Sequence, residues 1–93
     1  MNVVFCFLIV TNENFHVVQL NGAVENTNYL VSIVSSSDTN EAGIRPVSST
    51  NDTKQILNSG QWSYQEVLTD GSGNIEVYAK DKDSIQFFLS EVV

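Results

Sequence analysis

The chain has 93 residues, 42% of them hydrophobic, and eleven Asp and Glu against four Lys and Arg give a formal charge of −7. This size makes one domain, residues 1–93, and its few bases (Arg45, Lys54, Lys80, Lys82) argue against direct nucleic-acid binding and against docking on anionic membranes. Cys6 is the only cysteine, which excludes an internal disulfide, and the sequence has neither a basic leader region nor an apolar run of about 20 residues, so the expectation is a cytoplasmic protein with no membrane span.

Val3-Val4-Phe5-Cys6-Phe7-Leu8-Ile9-Val10 is an unbroken apolar run, the pattern of a strand covered on both faces. Asn12-Glu13-Asn14 reads as a hairpin loop that returns into Phe15-His16-Val17-Val18-Gln19-Leu20. In that register Cys6 lies opposite Leu20 and Val10 opposite His16, and Phe15 and Val17 fall on the deeper, aromatic face. Asn21-Gly22 is a turn signal, and Tyr29–Val34 is a strand with Tyr29, Val31 and Ile33 on one side.

Residues 35–43 are polar and acidic and read as the longest exposed loop. Ile44–Val47 reads as a short edge strand, since Pro46 cannot donate to a ladder. Thr53–Ser59 has Asn51 or Asp52 as an N-cap and Gly60 beyond its end, which predicts a two-turn helix that docks through Ile56 and Leu57. The last third predicts a three-stranded meander of Trp62–Leu68, Asn74–Lys80 and Ser84–Ser90. Its inward residues are Ile75, Val77, Ala79, Ile85, Phe87 and Leu89, with Phe88 outward. The whole predicts a mainly β protein, a small antiparallel β-sandwich or barrel of about six or seven short strands with one short helix; an α+β roll is the alternative.

Catalytic and metal-binding residue types are scarce. Cys6 and His16 are the one cysteine–histidine pair available, and the predicted register separates them by about 13 Å along the strands, out of hydrogen-bond reach. Cys6 is therefore read as an inert buried residue and His16 as structural. There is no Gly-x-Ser-x-Gly elbow, no phosphate-binding loop with its Lys, no zinc-ligand spacing and no EF-hand spacing. No catalytic residue, cofactor or metal ligand is assigned, and Asn51-Asp52-Thr53, a glycosylation pattern, is given no role.

A binding role fits the residues better. Trp62, Tyr64 and Phe88 are the main exposed aromatic candidates, with Tyr29 and Tyr78 as further ones. Glu66, Asp70, Glu76, Asp81 and Asp83 form the acidic surroundings, with Asp70 and the Asp81/Asp83 pair at opposite ends of one strand. Aromatic anchors suit a protein-binding hot spot. The expectation is a non-catalytic protein-interaction or assembly domain, of the kind found among viral, phage or mobile-element accessory proteins. The alternative is an acidic inhibitor or nucleic-acid mimic that occupies a basic groove of a partner. The predicted first hairpin has two apolar faces and too little chain to cover both, which adds a two-fold homodimer as one form of assembly.

Overall fold

The structure, a computed structural model, describes residues 3–6, 14–19 and 24–91. Its strands are β1 (Val3–Cys6), β2 (His16–Gln19), β3 (Asn28–Ser35), β4 (Asn40–Arg45), β5 (Gln55–Leu57), β6 (Trp62–Leu68), β7 (Asn74–Ala79) and β8 (Ile85–Glu91), with a 3₁₀ turn (Lys82–Ser84) before the last. They form two four-stranded sheets, sheet I in the order β1-β8-β3-β6 and sheet II in the order β2-β7-β4-β5. Every pairing is antiparallel. Each connection changes sheet except the one from β4 to β5. The pairs β1–β8, β2–β7, β3–β6 and β4–β5 nest inside one another like a single long hairpin rolled up on itself. This is the jelly-roll form of the β-sandwich.

The sandwich is therefore the expected class, and its inward rows are the predicted ones. Tyr29, Val31 and Ile33 of β3, Ile75, Val77 and Ala79 of β7, and Ile85, Phe87 and Leu89 of β8 all lie in one core, joined by Ala42, Ile44, Leu57 and Val67. Alternation explains this directly, because successive side chains on a strand point to opposite faces. Each fully buried Val, Leu, Ile or Phe among them contributes about 1.5–3 kcal/mol by leaving water.

The pairing of neighbours differs from the sequence reading. The described parts of the expected first hairpin fall in different sheets, β1 against β8 and β2 against β7. Residues 7–13 and 20–23, which carry its loop and the Asn21-Gly22 turn, lie outside the described residues. With β1 and β2 in different sheets there is no uncovered hairpin face among the described residues to call for a second chain. Val17 on β2 is exposed, whereas Val18 packs against the core, so the inner face of that strand is the opposite one from that expected. The C-terminal meander is likewise absent, since β7 pairs with β2 and β4 in sheet II whereas β6 and β8 belong to sheet I.

Two local elements also change. The expected helix over 53–59 is replaced by β5, with Leu57 buried and Ile56 70% exposed, a period of two rather than 3.6. The expected 35–43 loop contains most of β4, an interior strand between β7 and β5. Ala42 and Ile44 point into the core, and Gly43 between them is buried because the backbone at Thr53 crosses over it. Ala and Gly have weak strand preference, so tertiary packing decides this element.

Buried polar side chains fasten the two ends. At one end Asn40 donates to the Asp81 carbonyl (3.1 Å) and accepts from the Asp81 N–H (3.0 Å). At the other, the Thr69 hydroxyl donates to the Val24 carbonyl (2.6 Å) and accepts from the Thr27 N–H (2.9 Å). Such groups are satisfied because an unpaired buried donor or acceptor costs about 1–3 kcal/mol.

A methyl group on Gly43 would lie 2.8 Å from the Thr53 carbonyl oxygen, whereas one on Gly71 would meet nothing within 4 Å. In urea denaturation, Gly43→Ala is expected to lower stability by about 1–3 kcal/mol. Gly71→Ala should stay within about 0.5 kcal/mol of the parent. Equal effects would show that the backbone at Thr53 does not press on β4.

Candidate protein-binding face

The outer face of sheet I is built by the outward rows of β6, β3 and β8. Register places Tyr64, Ser32 and Phe88 in one row across the three strands, and Trp62, Val34 and Gln86 in the next. Strands lie about 4.8 Å apart, so rings on β6 and β8 are separated by roughly two such steps. The small Ser32 leaves room for them to meet over β3. Trp62 stacks on Tyr64 (centroids 6.4 Å apart, planes 13° apart) and tilts against Phe88 (5.9 Å, 37°). The three predicted aromatics thus form one cluster, with Trp62 at 50% and Tyr64 at 62% exposure and Phe88 half-buried. Leu68, exposed two positions beyond Glu66, extends the same row. The alternation Trp62-Tyr64-Glu66-Leu68 is the sequence signal that marks it.

The other two aromatic candidates are buried. Tyr29 belongs to the core, and its hydroxyl accepts from the Val24 N–H at 2.7 Å. Tyr78 points out of sheet II but is covered: Phe15 packs at 5.8 Å, the Lys54 ammonium sits 4.6 Å from the ring, and the hydroxyl donates to Glu41 at 2.8 Å. Arg45 lies over Phe15 at 3.9 Å and completes the cover.

The five acids are dispersed. Glu66 shares the aromatic face on β6, whereas Glu76 lies on the outer face of sheet II in an ion pair with Arg45 (2.7 Å). Asp70 and Asp81 fall at opposite ends of β7, as the sequence implies, and each accepts from local backbone amides. Asp70 takes the Ser72 and Asn74 N–H groups (2.8 and 2.9 Å), and Asp81 the Asp83 N–H (3.2 Å). Asp83 is exposed beside Lys82. Asp70 and Asp81 thus hold turns, and the five acids do not converge on one surface.

Cys6 belongs to sheet I, opposite Phe88, and His16 to sheet II, opposite Val77; the Cys6 side chain lies outside the described residues. Among the described residues no three His, Cys, Asp or Glu side chains gather to hold a metal ion, and no helix is long and apolar enough to cross a membrane. Two shallow pockets, of about 260 and 270 Å³, are smaller than usual ligand sites. The first, lined by Val34, Ser36, Asp83 and Gln86, adjoins the aromatic row. Comparison with protein-family profiles, curated proteins and solved structures finds no match.

The surroundings of Glu76 displace its titration. Desolvation alone would raise its pKa, but the Ser48 N–H, the Arg45 hydrogen bond and the Arg45 charge together hold it below the ordinary value of 4.5. A depressed folded-state pKa favours the fold above pH 4.5, and this contribution is lost as pH falls below 4.5. Thermal melts between about pH 3 and pH 7 should therefore show a shallower acid-side decline for Glu76→Gln than for the parent, together with a lower Tm at neutral pH. Parallel curves would remove the ion pair from the acid response.

Proposed function

We propose that this is a non-catalytic protein-interaction domain that binds through the outer face of sheet I. The observation that carries the reading is the unequal treatment of the two outer faces. On sheet II the chain covers its own ring, Tyr78, whereas on sheet I it leaves Trp62, Tyr64 and Leu68 open to solvent. Trp and Tyr are the side chains that dominate protein-binding hot spots, since a rigid ring buries much area at small entropic cost. The fold does not choose among functions, because jelly rolls serve as capsid, lectin and enzyme scaffolds alike. The dispersed acids favour this reading over that of an acidic inhibitor. The fitting partner presents an apolar centre to these rings.

Photo-cross-linking tests this directly. Benzoylphenylalanine at position 64 is expected to yield protein adducts in lysate of the native host, and Trp62→Ala should abolish them. The same probe at Val17, exposed on sheet II, should yield none. Adducts from position 17 alone would assign binding to the other sheet.

A further inference from the structure

The four sheet edges are unequally defended. Exposed edges carry unpaired main-chain groups, and proteins blunt them by shortness, bulges, Pro or charge. β5 has three residues, β1 and β2 have four each among the described residues, and β1 shifts register between Val3 and Phe5. β6 is different: it pairs with β3 over seven residues with no shift, and among the described residues no strand pairs with its other side. Its sequence, Trp-Ser-Tyr-Gln-Glu-Val-Leu, contains no Pro, Gly, Lys or Arg and a single charge, Glu66. Of the six exposed large hydrophobics among the described residues, Trp62, Tyr64 and Leu68 stand on its outer face.

We propose that β6 is the docking edge for a second copy of this chain, with the two β6 strands pairing antiparallel about Gln65 so that both sheets I join into one eight-stranded sheet. The register follows from charge and face. A two-fold axis normal to the sheet keeps both aromatic faces on one side and sets residues i and j opposite each other with a constant, even sum. Centring on Glu66 would set Glu66 against Glu66, a directly opposed like-charge pair. Centring on Tyr64 would leave Val67 and Leu68 without partners from β6. Centring on Gln65 pairs all seven residues: Trp62 meets Leu68, Ser63 meets Val67, and Tyr64 meets Glu66. The two Glu66 carboxylates are then diagonal neighbours, about 7–8 Å apart and screened at physiological salt. Main-chain ladder bonds supply affinity in such strand addition, and the alternate side chains supply the register. This inference deepens the binding-face reading and rests on it, because the exposed rings of β6 line the join.

The test is sedimentation equilibrium of the purified chain at about 50 μM in 150 mM NaCl, where a dimer is expected. Tyr64 is exposed, so both Tyr64→Glu and Tyr64→Lys should leave the fold unchanged by circular dichroism. The glutamate would face Glu66 of the second copy and should weaken the dimer at least tenfold relative to the lysine, which would face the same carboxylate with opposite charge. Val17→Glu and Val17→Lys, on sheet II, give the background effect of net charge and should not split. A monomer for the parent chain overturns the proposal. So does a dimer that loses both Tyr64 variants equally, or a split of the same size at Val17. A monomer that still cross-links to a host protein from position 64 would refute β6 pairing while leaving the binding face in place. A register-dependent dimer without host adducts would do the reverse for a foreign partner.

Discussion

One layer of side chains holds this molecule together. The outer strand pairs contribute to it, but its centre is the contact between β3 of sheet I and β4 and β7 of sheet II, where Tyr29, Val31 and Ile33 meet Ala42, Ile44, Val77 and Ala79 at an exposure of 2% or less. Because consecutive strands nearly always change sheet, main-chain hydrogen bonds knit each sheet internally, and this apolar layer, the end fasteners and side-chain links such as Ser63 to Gln55 (2.6 Å) join one to the other. The strands could keep their ladders and still separate without it. Gly43 shows how tightly the arrangement is fitted, since the backbone at Thr53 occupies the space a side chain would take.

Which side of each strand faces inward was legible in the sequence, and which strand pairs with which was not. Alternation is a local property, so β3, β7 and β8 could be oriented from their own residues. Pairing is a distant property. A turn such as Asp70-Gly71-Ser72-Gly73 reverses the chain, but its chemistry suits a step of about 4.8 Å to a neighbour in the same sheet as well as a step of about 10 Å across the sandwich. Reading each reversal as a hairpin produced a meander where the chain makes arches. β5 was masked by its flanks: Asn51, Asp52 and Gly60 are helix-cap residues, and Gly60 does adopt positive φ, at 81°, but the three residues that pair are too few to announce a strand. The aromatic cluster was legible for the same reason as the core, because large rings on the polar phase of β6 and β8 have no inward place. It gathers beside Ser32 of β3, a neighbour that only the register reveals.

The two outer faces show how similar residues meet different fates. Each sheet carries aromatic rings outside the core. The connection between β4 and β5, residues 46–54, folds back over sheet II and brings Lys54 to Tyr78, while Phe15 arrives from the segment before β2. No described connection crosses sheet I in the same way. Exposure of Trp62 and Tyr64 is therefore a result of loop routing rather than of ring chemistry.

The nested pairing also imposes an order on synthesis. β1 is hydrogen-bonded only to β8 among the described strands, and β8 is the last to leave the ribosome. At a translation rate of about 5–20 residues per second, the earliest strand waits for several seconds with no template to lie against. The innermost pair, β4–β5, is the one that local chain closure favours, because loop entropy rises with separation along the chain. Among the described strands, assembly on a ribosome would thus run from the β4–β5 pair outward, and β1 is the strand that waits longest for its mate.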